Sequence, residues 1–376
     1  QAVQVVETDI PNFVSWFRLK DGTIVGLTYI PQQETIAWHQ HKIGGDYNYS
    51  NTRTGDPTGN LATDKSHAVV LDMCTIPSST RDQLWMLVRR TIPVADSAVF
   101  TASSSSGLLL TSNSHLLADG DIVQVSSAGT LPTGLSADTN YYVRDKTTNN
   151  FKLATTSGGT AIAYTNSGSG THTWTAGSKR IIETVEMMED WMTTEAISES
   201  KYLDGHVTHT GTNVASGELD HLEGETVGIL SDGSVLDNQV VNSSGQFTTA
   251  IGTATTIIAG MRYTSKVISL PISIGPQGRI RIGNKKRIHR TWVKIHRTPN
   301  FKYATYTDSY TDSDLVELVT RTIANEYGEA PHLASETKEL IPKSQGFTDG
   351  QFLIQQEDPM PLNILAYEVD FETNDN

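Results

Sequence analysis

The sequence predicts an all-β chain of several small domains, and three observations carry that prediction. Apolar and polar residues alternate at period two along most of the chain, tight-turn dipeptides separate the runs, and stripes of helical spacing are nearly absent. At 376 residues the chain has room for roughly two to four domains. The expected architecture is a set of small antiparallel sheets, as sandwich or barrel domains, with one inserted β module.

The N-terminal elements read most plainly. Val14 to Leu19 runs into Lys20-Asp21-Gly22-Thr23, and Ile24 to Ile30 runs out, so Asp21-Gly22 stands where a tight hairpin needs positive φ. Thr35 to His41 adds a third strand. Beyond a polar loop at 44–66, Ala68 to Met73 and Gln83 to Arg90 give two more.

Composition changes near residue 94. From Val94 to Ser178, 37 of 85 residues are Ser, Thr or Gly and none is Glu, yet aromatic and aliphatic residues recur at strand spacing. That pattern reads as a β module, not a linker. Lys179 to Glu186 reads as the antiparallel partner of Leu84 to Thr91, so the module takes the place of a hairpin turn. The first domain is therefore 1–93 plus 179–200, with 94–178 inserted. Met187 to Met192 has the pattern of a single helical turn.

A compact unit at 201–264, barrel-like or a half-sandwich, is built around a second hairpin turn at Asp232-Gly233. The last domain, 265–376, alternates except at 312–324. There Leu315, Val316, Leu318, Val319 and Ile323 fit a helical face, while the Val, Thr and Ile content fits a strand; the neighbouring strands favour the strand.

Composition excludes several classes. The 28 basic and 42 acidic residues give a formal charge of -14, which favours solubility and opposes blanket binding to nucleic acid or anionic membrane. No apolar run approaches the ~18 residues of a membrane span. Cys74 is the only cysteine, so one copy builds no disulfide, Cys-based zinc ribbon or iron–sulfur site, and behind an apolar strand it is expected to fill space. The chain opens on Gln1 with no charged-then-apolar leader, which reads as a processed chain or as part of a longer one.

Catalytic patterns are sparse. His39 and His41 project to one strand face, a permissible half of a metal site, but no third ligand follows from spacing and ordinary hydrogen bonding is the expected role. His206 and His209 carry less weight. There is no Gly-x-Ser-x-Gly elbow, P-loop, dinucleotide fingerprint or Ca²⁺ loop. No catalytic residue, metal or cofactor is expected.

The least ordinary feature is electrostatic. Arg279, Arg281, Lys285, Lys286, Arg287, Arg290, Lys294 and Arg297 put eight cations in 19 residues, with His289 and His296 and no acid. A hairpin fits, turning at Gly283-Asn284 and returning from Ile288 to His296. Two partners suit such a hairpin: the acidic surface of a neighbouring domain or subunit, which is favoured, or nucleic-acid phosphates.

Four motifs, in order, resemble a known family. They are Asp21 to Tyr29 with Ala37-Trp38-His39-Gln40-His41; Asp82 to Ile92; Leu219-Asp220-His221-Leu222-Glu223-Gly224-Glu225 with Asp232-Gly233; and Gly350 to Leu365, in which Asp358, Pro359 and Pro361 precede the last strand. Together they are similar to the tail nozzle, or stabilisation, proteins of short-tailed bacteriophages. Leu131 to Leu135, Asn140 to Arg144 and Asn150 to Thr155 resemble an FCCH-type small β domain. Two departures stand out. Family members are usually longer at the N-terminus, where a propeller-like region is expected, and the insert interrupts a strand pair that the family closes tightly.

The resemblance implies a structural subunit of the virion tail and no enzyme. Its partners would be copies of itself in a sixfold ring, a tail adaptor or other tail proteins, and double-stranded DNA passing without sequence readout. The insert would project outward, where it is a candidate for contact with a host surface glycan. The alternative is a carbohydrate-binding or depolymerising tail spike, although no short period of stacked β-helix strands is present.

Overall fold

The computed structural model describes residues 1–9, 13–47, 65–77, 81–92, 97–103, 109–115, 117–176, 180–189, 196–242, 244–249, 254–273, 285–320, 330–343 and 346–374. The fold is all-β, with several antiparallel sheets and one closed barrel; its helical elements among the described residues are single 3₁₀ turns. The chain divides into two compact units. The first holds 1–189, 215–227 and 238–251, and the second 190–214, 228–237 and 252–376.

The first unit opens with a meander of β1 (Ala2–Thr8), β2 (Val14–Leu19), β3 (Ile24–Ile30) and β4 (Thr35–His41). The Asp21-Gly22 turn is where the sequence puts it. Asp21 Oδ1 accepts the Thr23 amide at 3.1 Å, and Gly22 adopts φ +82. A Cβ on Gly22 would lie 2.3 Å from Val69 Cγ1, so only glycine lets the turn dock on the next sheet. That sheet joins β5 (Val69–Ile76), β6 (Gln83–Ile92) and β13 (Arg180–Met187) in the order β13-β6-β5. The two sheets enclose a core that includes Trp16, Ile24, Val70, Met73, Met86 and Val88. β6 and β13 pair without a break from Arg180 opposite Ile92 to Met187 opposite Trp85. The residues between them thus leave and rejoin at the end of one ladder.

Those residues form a closed six-stranded barrel from β7 (Ser97–Ala102), β8 (Leu110–Thr111), β9 (Ile122–Ser127), β10 (Tyr141–Arg144), β11 (Asn150–Ala154) and β12 (His172–Ala176), in the order β10-β11-β8-β7-β12-β9. Closure removes the exposed edges of so short a sheet. Trp174, fully buried, stands in the barrel core, where its indole donates to Ser112 Oγ at 3.0 Å.

After β13, Met188 packs against the first core; Asp190 to Met192, expected in a helical turn, lie outside the described residues. The stretch 201–264, expected as one barrel-like domain, is shared between the units. β14 (Asp204–Val214), β16 (Thr226–Ser231), β17 (Ser234–Val240) and β19 (Ala254–Met261) form a sheet in the order β14-β19-β16-β17. The short ladder of β15 (Ser216–Glu218) and β18 (Gln246–Thr248) belongs to the first unit. The reason is local pairing. The long strands satisfy one another, while Leu219 and Gly245 turn the chain back on itself through a 2.6 Å amide bond.

The rest of the second unit is a two-sheet sandwich. One sheet orders β20 (Ser265–Ile268), β25 (Gln351–Gln356), β22 (Phe301–Tyr306) and β23 (Val316–Leu318) as β20-β25-β22-β23; the other orders β21 (Lys286–Ile295), β24 (Thr337–Leu340) and β26 (Ile364–Thr373) as β24-β21-β26. Ile288, Val293, Phe301, Leu340, Phe352 and Ile354 pack between them. The ambiguous 312–324 segment begins as a 3₁₀ turn at Asp312–Asp314 with a Thr311/Asp314 capping box and continues as β23; residues 321–324 lie outside the described residues.

Candidate functional site

Of the cationic cluster, Lys285, Lys286, Arg287, Arg290, Lys294 and Arg297 lie among the described residues; Arg279, Arg281 and the Gly283-Asn284 turn lie outside them. The expected returning strand, Ile288 to His296, falls largely within β21, whose neighbours in the sheet are β24 and β26. Lys286, Ile288, Thr291, Val293 and Ile295 are buried, whereas Arg287, His289, Arg290 and Lys294 face water, with register shifts against β26 between Ile288 and Arg290 and between Lys294 and Ile295. The long stem of Lys286 is 1% exposed and lies beside Gly350, whose ideal Cβ would stand 3.1 Å from it.

Arg287, His289 and Arg290 meet acids of their own sheet, and Lys285 meets Asp349 just before β25. Arg290 reaches Glu339 on β24 at 3.0 Å and Asp370 on β26 at 3.3 Å, and its guanidinium lies 5.6 Å from the Trp292 ring centre. Arg287 and His289 approach Glu372 at 3.8 and 3.5 Å, and Lys285 reaches Asp349 at 2.7 Å. Exposed pairs of this kind are worth at most about 1 kcal/mol each. Their effect here is on the field. The face alternates in sign, which suits another protein surface better than a continuous polyphosphate. The acids that meet Arg287 and Arg290 lie on the flanking strands β24 and β26. Lys294 is exposed and makes no ion pair among the described residues.

The motif residues fall in architectural positions. His39 and His41 share the inner face of the first sheet: His39 Nδ1 is 2.7 Å from His41 Nε2, and His39 Nε2 is 3.2 Å from Thr28 Oγ1. Both rings lie against Trp16, at 5.3 and 5.4 Å between centres. Burial, and then the neighbouring His39, push the His41 imidazole down to about 4, so it is neutral at pH 7. No group of three metal-ligating side chains forms among the described residues. Trp38 points the opposite way, 62% exposed.

His221 sits in a 3₁₀ turn (Asp220–Leu222) whose Leu222 is fully buried, and Gly224 takes φ +77 just beyond it. Asp358 approaches Arg262 at 3.4 Å. Pro359 and Pro361 occupy the strand-free stretch between β25 and β26, and so let the chain cross from one sheet of the sandwich to the other. Met360 between them packs with Leu203, Leu230 and Ile258.

Sequence reasoning missed the strongest polar cluster. Arg90, fully buried on β6, donates to the Gly44 carbonyl at 2.8 Å, to Thr184 Oγ1 at 3.2 Å, and to both carboxylate oxygens of Glu186 on β13, one of them at 3.0 Å. Arg89 pairs with Glu183 directly across the ladder. Burial pushes the Glu186 carboxyl up, but hydrogen bonding and attraction from Arg90, helped by Thr184 and the His221 field, hold it below the ordinary value of 4.5. The available signal was two adjacent arginines on a strand whose partner strand carries two glutamates on alternating faces.

Of the aromatic side chains of the insert, Trp174, Tyr141 and Tyr164 pack inside the barrel, and Tyr142 on β10 is half-buried. Cys74, expected to fill space, is exposed. A register shift between Val70 and Asp72 turns Met73 inward and leaves Cys74 facing out. On the barrel, β7, residues 111–113 and residues 167–172 border a groove of about 700 Å³ lined largely by Ser, Thr, Gly and Ala, with Phe100 and His172.

No protein-family model matches the chain, and no curated protein matches it. No helix among the described residues is long and apolar enough to cross a membrane.

Proposed function

We propose that the chain is a structural subunit of a bacteriophage tail, a nozzle or tail-tube protein that surrounds the exit path of double-stranded DNA. The observation that carries the reading is that the family-like motifs serve architecture. Asp21-Gly22 docks a hairpin on Val69, His39 and His41 bond to each other against Trp16, Leu222 fills a core, and Pro359 and Pro361 switch sheets. None of them is gathered around a cleft with a reactive group.

On this reading copies associate head to tail into a ring, sixfold as in the family it resembles, and the ring meets a tail adaptor or other tail proteins in the virion. The sign-alternating face around β21 supports protein contact as its role, and DNA passes without base readout. Negative-stain images of the purified chain test the proposal: rings or short tubes support it, and uniformly single particles at high concentration contradict it.

The barrel groove favours a second role for the insert, recognition of a host surface glycan. Its lining includes Thr101, Thr111, Asn113, Ser167 and Thr171 beside Val99, hydroxyl and amide groups of the kind that hydrogen-bond a sugar. Incubation with host surface polysaccharide separates the outcomes. Binding without cleavage fits a structural subunit with a glycan-reading insert; cleavage moves the protein to the depolymerising spikes.

A further inference from the structure

Eight of the seventeen exposed large apolar side chains among the described residues fall into two clusters. The first covers the outer face of the β1–β4 meander. Cross-strand register puts Val5, Phe17 and Val25 in one row, Leu27 and Trp38 in the next, and Tyr29 with Ile36 in a third. Ile36 and Trp38 are 67% and 62% exposed, Val3, Val5 and Tyr29 somewhat less, and Glu7 is the one charged side chain in those rows. The second cluster lies in the other unit, where the sandwich is open between its edge strands β20 and β26. Val267, Leu362, Ile364, Leu365, Ala366 and Tyr367 line a cleft of about 550 Å³ there.

Both surfaces are costly to leave in water. A fully open Trp or Tyr presents about 150–250 Å², so the five exposed side chains of the meander face leave on the order of 500 Å² of apolar surface. That is near the top of the about 300–600 Å² found for the largest patch of a typical monomer, and well over half of the about 800 Å² per partner in a stable interface. Charge narrows the occupant. Two copies at -14 each repel over most of their surface, so they approach most cheaply where charge is absent, and the cleft lining carries none. Shape narrows it further, because one surface is a sheet with projecting aromatic and branched side chains and the other is a cleft able to hold them.

We propose that these surfaces are the two halves of one heterologous contact: the β3–β4 face of one copy, led by Ile36 and Trp38, seats on the β20–β26 cleft of the next. The proposal rests on the ring reading and names its interface. A head-to-tail contact needs two different complementary patches, and repetition of that contact closes a ring where its rotation is a whole fraction of a turn.

The test uses two variants of the full chain, Ile36→Lys/Trp38→Lys and Val267→Lys/Leu365→Lys, with mass photometry or sedimentation as the readout. Wild type is expected at multiples of the 41.0 kDa chain mass, and each variant alone at the single mass. An equimolar mixture is expected at twice the single mass, because one intact face and one intact cleft remain, and at no higher species. Circular dichroism and melting confirm that the variants fold, and Ile36→Ser/Trp38→Ser with Val267→Ser/Leu365→Ser replace any that do not. A mixture that stays at the single mass, or variants that assemble as wild type does, overturn the pairing and leave the ring reading standing. A wild type that is itself single at high concentration removes both.

Discussion

Replacing Arg90 by Met tests how the first unit is held together. The guanidinium is fully buried and serves the Gly44 carbonyl, the Thr184 hydroxyl and both oxygens of Glu186. Methionine keeps much of the volume but leaves the largely buried Glu186 carboxylate, 14% exposed, without its cation and with only the Thr184 hydroxyl donating to it. Breaking a buried pair from one side costs about 3–5 kcal/mol. For a unit of this size, at about 2–4 °C per kcal/mol, the transition should fall by about 10 °C. Calorimetry resolves that shift, and urea unfolding followed by tryptophan fluorescence gives the free energy. Arg90→Met/Glu186→Leu, which removes both charges, should recover to within about 1 kcal/mol of wild type. The pH dependence has a definite sign. Because the folded Glu186 carboxyl lies below its ordinary 4.5, its contribution is fully present above that value and is lost as pH falls through the lower folded value. The Arg90→Met variant should lose that part of the acid slope. A variant within 1 kcal/mol of wild type, with an unchanged acid slope, would refute the reasoning.

Other outcomes follow from the same geometry. His41, pushed down from 6.5 to about 4, takes up its proton more readily when unfolded, so stability should decline by up to about 3 kcal/mol as pH falls from about 6.5 to 4, and His41→Phe should flatten that part of the curve; an unchanged slope contradicts the assignment. Gly22→Ala should cost about 2 kcal/mol or more in urea unfolding, since it adds both a left-handed φ and a contact 2.3 Å from Val69 Cγ1. Cys74, exposed on β5, should react with a thiol reagent in the native protein at a rate near that of a free thiol; reaction only on unfolding would show it covered. At about 0.15 M salt the full chain should retain little duplex DNA, because acids of the same sheet face the β21 cations; tight, salt-sensitive retention would contradict the balance described for that face.

Much of this fold could be read from residue patterns whose information is local. Asp21-Gly22 and Asp232-Gly233 mark hairpins because positive φ is a property of two residues. The pairing of β6 with β13 was legible despite the long insertion, because alternation resumes at Arg180 where it stops at Ile92 and the composition between them is foreign. What escaped depends on register. Cys74 faces out through a one-residue shift at Val70 and Asp72. The acids that meet Arg287 and Arg290 are Glu339, Asp370 and Glu372, about 50 to 85 positions away, and no local pattern tells which strands will flank β21. Barrel closure in the insert runs through a strand of two residues, Leu110 and Thr111, too short to carry a period. The Arg90 cluster needed the loop at Gly44 as well as β13, and so stayed hidden although its arginine and glutamate were both in view.

The central claim is that these chains associate into a hollow ring that forms part of a tail. Cryo-electron microscopy of intact tailed-phage particles whose genome encodes the chain addresses it most directly, by asking whether density for the β6–β13 ladder and its barrel recurs around the tail axis. The account predicts a symmetric ring of this chain with the barrel on the outside. A tail without this chain, or one carrying it as isolated single copies, would contradict it.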